Sequence, residues 1–188
     1  MNEDISNQYL NEYNTLRQEL LDLSKEQNSL FTFVFTTVSA IIAFSLQQNN
    51  AYIALIPFVF LIPARCRHIF YHEMQLRVAT YISIFLESKI EGLNWETRIK
   101  SIEIKAKSEK LLPFPGTEIH YYAYSIVGLL TCILYVINLG SSKNILLYMI
   151  LIPLEGYLIY LDLSLIYKSS KARKNYDKLW EDMKSTIQ

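Results

Sequence analysis

The chain has 188 residues, a formal net charge of zero and an apolar fraction of 51%. That length holds one compact domain, and the balanced charge argues against a nucleic-acid coat protein. The polar, acidic first 28 residues exclude a secretory signal peptide, and Cys66 and Cys132 carry neither a disulfide framework nor a zinc spacing.

Charge is distributed in blocks. No charged residue occurs from Gln27 through Ala64, a run of 38, nor from Ile119 through Ser142, a run of 24. Crossing roughly 30 Å of hydrocarbon takes about 20 helical residues, so each run is long enough for membrane spans. The chain therefore reads as an all-α integral membrane protein with four transmembrane helices arranged as two hairpins. An N-terminal amphipathic helix and a helical cytoplasmic segment complete it. The boundaries are residues 1–28 for the N-terminal helix, 29–71 for the first hairpin and 72–120 for the cytoplasmic segment. Residues 121–167 form the second hairpin and 168–188 a basic tail.

In chain order, the helix from about Asp4 to Gln27 places Tyr9, Tyr13, Leu16, Leu20, Leu23 and Leu30 at heptad spacing. This seam can pack on the cytoplasmic segment, bundle with other copies, or plug a pore. Span one runs from about Gln27 to Leu46, and Gln47 to Asn50 forms a turn. Span two runs from Ala51 to about Tyr71 and ends in Arg65 and Arg67, whose long side chains can reach the headgroups. Pro57, Pro63 and Pro153 each remove a backbone donor and free an upstream carbonyl, which makes them candidate hinges. Tyr52–Pro57 matches Tyr148–Pro153 at four of six positions, and Tyr71 matches Tyr167 at the same offset of 96. This is either a parallel repeat or chance likeness in a small apolar alphabet.

Between the hairpins, His72 to Leu86 extends the helix of span two, Gly92 ends it, and a second helix follows from about Trp95 to Leu111. Pro113 to Gly116 breaks the chain before span three, Tyr121 to Leu139. A second turn at 140–144 leads to span four, Ile145 to Tyr167. Of the 18 Lys and Arg residues, all but Lys143 fall on one side of this topology. The positive-inside rule then places both termini and residues 72–120 in the cytoplasm, in a multi-pass inner-membrane protein.

Two acids stand at membrane depth. Glu155 and Asp162 are seven residues apart in span four, hence on one helix face. A carboxylate there is costly unless paired, hydrated or protonated. In one reading Asp162 pairs with Arg65 or Arg67, and Glu155 is protonated or hydrogen-bonded. In the other, copies of span four line a wet pore and a ring of carboxylates attracts cations. Pore residues are then Glu155 and Asp162, with Leu16, Leu20, Leu23, Pro57 and Pro153 as gate or seal. Arg98, Lys100, Lys105, Lys107, Lys171, Arg173 and Lys174 form a basic face for anionic lipid, a nucleotide or oligonucleotide, or an acidic protein.

His68 and His72, four apart, lack an evident third ligand besides His120, so no metal site is assigned. No phosphate loop, nucleophile elbow or HExxH occurs, and neither catalysis nor a cofactor is expected. Taken together, the polar N-terminal helix, membrane hairpins and basic cytoplasmic segment resemble small bacterial antiphage membrane effectors. The plan looks most like the channel effector of Hailong-type defence. That resemblance implies a tetrameric channel held closed by oligodeoxyadenylate from a partner nucleotidyltransferase. The N-terminal helix would be the seal and the basic residues the ligand site. The competing expectation is a non-conducting membrane adaptor whose basic face recruits a soluble partner or anionic lipid.

Overall fold

The computed structural model describes residues 3–48, 51–90, 92–108, 115–139 and 145–187, and no strand occurs among them. The chain is all-helical: α1 (Glu3–Gln48), a 3-10 turn (Ala51–Leu55), α2 (Ile56–Tyr81), a π-helical turn (Ile82–Leu86), α3 (Trp95–Ser108), α4 (Pro115–Leu139) and α5 (Ile145–Ile187). The turn expected at 140–144 lies outside the described residues. Two helical stretches are long and apolar enough to cross a membrane, Asn7–Gln48 in α1 and Tyr148–Tyr167 in α5. The apolar stretch Tyr122–Ile137 of α4 is shorter. Helix α2 does not qualify: Arg65 and Arg67 interrupt its apolar run, and Ala51–Leu55 winds as a 3-10 turn.

Residues divide into two compact units, one of Met1–Glu26, Phe70–Phe114 and Lys168–Gln188, the other of Gln27–Ile69 and Pro115–Tyr167. In the first unit the α1 seam has an intrachain partner. Tyr13 is buried with Val78, Ile82 and Leu86, flanked by Tyr9, Leu16, Leu20, Tyr81, Ile90 and Leu93. The apolar stripe satisfies itself within this chain, and Leu23 stays half-buried beside it. The π turn is closed by a hydrogen bond from Glu87 N to Ile82 O at 3.0 Å. Such a turn disturbs the regular i to i−4 ladder, and Lys184 Nζ donates to Ile84 O at 2.9 Å. Trp180 packs edge-on against Tyr81 and Phe85. Gly92, at φ 86°, makes the reversal before α3 that a residue with a side chain resists.

Helix α3 begins on a carboxylate. Glu87 accepts from Glu96 N at 2.6 Å, Thr97 N at 3.0 Å and Thr97 Oγ1 at 2.6 Å. Those amides belong to the first helical turn, where no carbonyl of the helix can reach them. Arg17 adds an ion pair to Glu96 at 3.9 Å and lies 4.8 Å above the Trp95 ring.

The second unit draws its core from α1, α2, α4 and α5: Val34, Val38, Phe58, Leu61, Ala64, Tyr124, Tyr135, Leu151 and Leu158. Its polarity is inverted. Arg65, His68, Thr131, Glu155 and Asp162 are buried, whereas Phe33, Val59, Leu129, Ile137, Met149 and Ile152 are exposed. Pro63 and Pro153 lie inside helices. Pro57 is the second residue of α2, in the first turn, the part of a helix that most readily accepts proline, and not a mid-helix position. The two copies of the Tyr52–Pro57 likeness differ in backbone, since Ala51–Leu55 is a 3-10 turn and residues 147–151 are α-helical.

Candidate functional site

The buried polar residues of the second unit gather on α5 and the helices that face it. Helices α4 and α5 run antiparallel, with Ser125 opposite Asp162 and Gly128 opposite Glu155 and Leu158. Asp162 is 1% exposed and Arg65 of α2 is 0% exposed; Arg65 Nε stands 2.5 Å from Asp162 Oδ1. Ser125 supports the other oxygen twice, from its backbone N at 3.2 Å and from its hydroxyl. The Arg65 guanidinium lies 5.3 Å from the centre of the Tyr124 ring, which supplies a polarisable face. Phe31, Phe35 and His68 meet the same ring edge to face. His68 in turn hydrogen-bonds Gln27 of α1 at 2.9 Å. All four helices thus contribute to one buried network. Removing water from two charges is compensated only by close geometry and further hydrogen bonds. Both are present.

Glu155 lies two turns earlier on the same face, about 10.5 Å along the axis. It is 8% exposed, and neither carboxyl oxygen has a hydrogen-bond partner among the described residues. The carboxyl occupies the space above Gly128. A methyl group added there would collide with Glu155 Oε2 and stand 3.0 Å from Leu158 Cδ1. Beside it, a groove of about 360 Å³ runs between α4 and α5, lined by Cys132, Val136, Tyr148, Leu151, Ile152, Glu155, Gly156 and Ile159. Glu155 is the one carboxyl in that lining, beside the neutral thiol of Cys132 and the phenol of Tyr148.

The other sequence-selected residues do not converge on this place. Leu16 and Leu20 pack in the first unit, Pro57 is buried at the start of α2, and Pro153 is exposed on α5. On α3, Arg98 and Lys105 are exposed, but Lys100 is held by Asp177 at 2.5 Å. The side chains of Lys107, Lys171, Arg173 and Lys174 lie outside the described residues. No group of three His, Cys, Asp or Glu side chains capable of holding a metal occurs among the described residues. Sequence reasoning missed Ser125, Tyr124, Gly128 and Glu87. Ser125 and Gly128 are small residues three apart within an apolar run, hence on one face of the helix, where a neighbouring helix can come close.

The chain matches no protein-family model, no curated protein and no solved structure.

Proposed function

We propose that the chain is a homo-oligomeric ion channel of a bacterial inner membrane, with four spans and both termini in the cytoplasm. The inverted polarity of the second unit supports membrane embedding: large apolar side chains face outward while charges lie inside. Two stretches meet the length and composition of a span. The observation that carries the channel reading is Glu155, a buried carboxyl without a hydrogen-bond partner among the described residues, beside a groove open to the surface. Copies arranged with these grooves toward a common axis bring one carboxyl each to a cation path. Asp162 supports that path from within, since Arg65 and Ser125 already engage it.

Gating from the cytoplasm by a nucleotide or oligonucleotide, in antiphage defence, completes the proposal, with tetramers as the assembly that the resemblance implies. Opening depolarises the cell. Purified protein in liposomes tests it: cation flux should appear, and Glu155→Gln should reduce it strongly. Reconstituted protein that passes no ions under any nucleotide condition sinks the reading. The exposure of Arg98 and Lys105 favours one second reading, a non-conducting adaptor recruiting an acidic partner. Charge reversal at Lys105 then abolishes activity, while Glu155→Gln leaves it intact.

A further inference from the structure

We propose that the groove between α4 and α5 is a binding site for a hydrophobic organic cation, whose ammonium group donates to Glu155. The walls set the apolar half of the specificity. Val136, Leu151, Ile152 and Ile159 offer hydrocarbon, and the groove holds about 360 Å³, within the few hundred Å³ usual for small-molecule sites. The carboxyl sets the polar half. It is more than nine-tenths buried, both of its oxygens lack a hydrogen-bond partner among the described residues, and it lines the groove. Gly128 leaves the room that lets it stand there.

Three ligand classes compete for such a place. A neutral apolar molecule fills the volume and leaves the carboxyl as unsatisfied as before. A metal cation needs several oxygen or nitrogen ligands, and one carboxyl amid hydrocarbon walls supplies too few. An amine on a compact apolar body satisfies both halves: its hydrocarbon covers the apolar walls, and its N–H groups donate to Oε1 or Oε2 as the Glu155 side chain, whose oxygens are buried, turns into the groove. Charge-assisted hydrogen bonds of this kind are the strong ones.

The site stands apart from the channel reading, since binding requires no conduction. The experiment uses full-length protein in lipid nanodiscs titrated with 1-adamantylammonium by calorimetry, with empty nanodiscs subtracted. Saturable binding of about one molecule per chain is expected. The neutral isostere 1-adamantanol should bind roughly tenfold or more weakly, the value of a hydrogen bond to a charged group. Glu155→Gln should weaken the amine by a similar factor and leave the alcohol unchanged. Cys132→Phe, which fills the groove and keeps the carboxyl, should abolish both. Equal affinity of amine and alcohol for the wild-type protein overturns the proposal, as does a folded Glu155→Gln that binds the amine like wild type. The amine–alcohol comparison needs no variant, so a misfolded substitution does not decide the matter. Binding by protein that passes no current keeps the site and removes only the channel.

Discussion

Replacing Asp162 with asparagine keeps the shape of the side chain and removes one charge from a pair whose members are 0% and 1% exposed. Arg65 then remains charged in the core of the second unit, with a neutral amide where the carboxylate stood and the Tyr124 ring beside it. Breaking one member of a buried pair costs about 3–5 kcal/mol, because the remaining charge stays in the interior without its counter-charge. At roughly 2–4 °C per kcal/mol for a chain of this size, the unfolding midpoint should fall by roughly 6–20 °C. The assay is thermal unfolding in one detergent, followed by circular dichroism, for wild type, Asp162→Asn, Arg65→Gln and the double variant. The double variant leaves no uncompensated charge and should be more stable than either single one, with a coupling of about 2 kcal/mol or more. Two singles whose losses simply add in the double refute the argument, since additivity means that the charges do not sense each other.

Three further outcomes follow from contacts elsewhere. Gly128→Ala places a methyl against Glu155 Oε2 and Leu158 Cδ1, so it should destabilise by about 1–3 kcal/mol. In a Glu155→Ala background that cost should shrink, and thermal midpoints of the four proteins check it. Glu87→Ala removes the acceptor of two first-turn amides and the Thr97 hydroxyl. It should cost about 1–2 kcal/mol and speed amide exchange at the start of α3, seen by exchange mass spectrometry. The Tyr81 phenol is pushed up to about 12, first by burial and then by its hydrogen bond to Glu12. Its ordinary value is 10.0, so the unfolded chain releases this proton first. The stability it confers is present below that value and is lost as pH rises through about 12. Phenolate absorbance at high pH should show one late-titrating tyrosine fewer in Tyr81→Phe than in the wild-type protein.

The long helices were legible because uncharged runs are a bulk property of the chain. Span two read as a continuous helix from Ala51, but Ala51–Leu55 is a 3-10 turn and Pro57 belongs to the first turn of α2. Proline has a different meaning at a helix start than in its interior, and hydropathy does not locate the start. The seam of Tyr9, Tyr13, Leu16 and Leu20 was visible as periodicity, whereas its partner was not. Periodicity names a face, and only the fold shows Val78, Ile82 and Leu86 covering it. Glu87 and Ser125 were invisible for a related reason. Each acts across helices, on Thr97 and Asp162, and leaves no local pattern.

The two acids of α5 show how far a shared helix face determines chemistry. Seven residues separate them, so both turn toward α4, yet their surroundings diverge. Opposite Asp162, α4 presents a serine that donates twice and α2 presents an arginine. Opposite Glu155, α4 presents Gly128, which donates nothing from a side chain and whose own carbonyl is taken by Thr131 Oγ1 at 2.6 Å. One carboxyl is therefore a structural element of the bundle, fixed by three donors. The other stands in the room that a glycine leaves and meets no donor among the described residues. A substitution that brings a donor to it inside the chain, Gly128→Ser, would crowd the same space that Gly128→Ala crowds. If the hydroxyl's hydrogen bond to Glu155 offsets part of that crowding, Gly128→Ser should be more stable than Gly128→Ala. Equal midpoints for the two would mean that the carboxyl gains nothing from a neutral donor at that position.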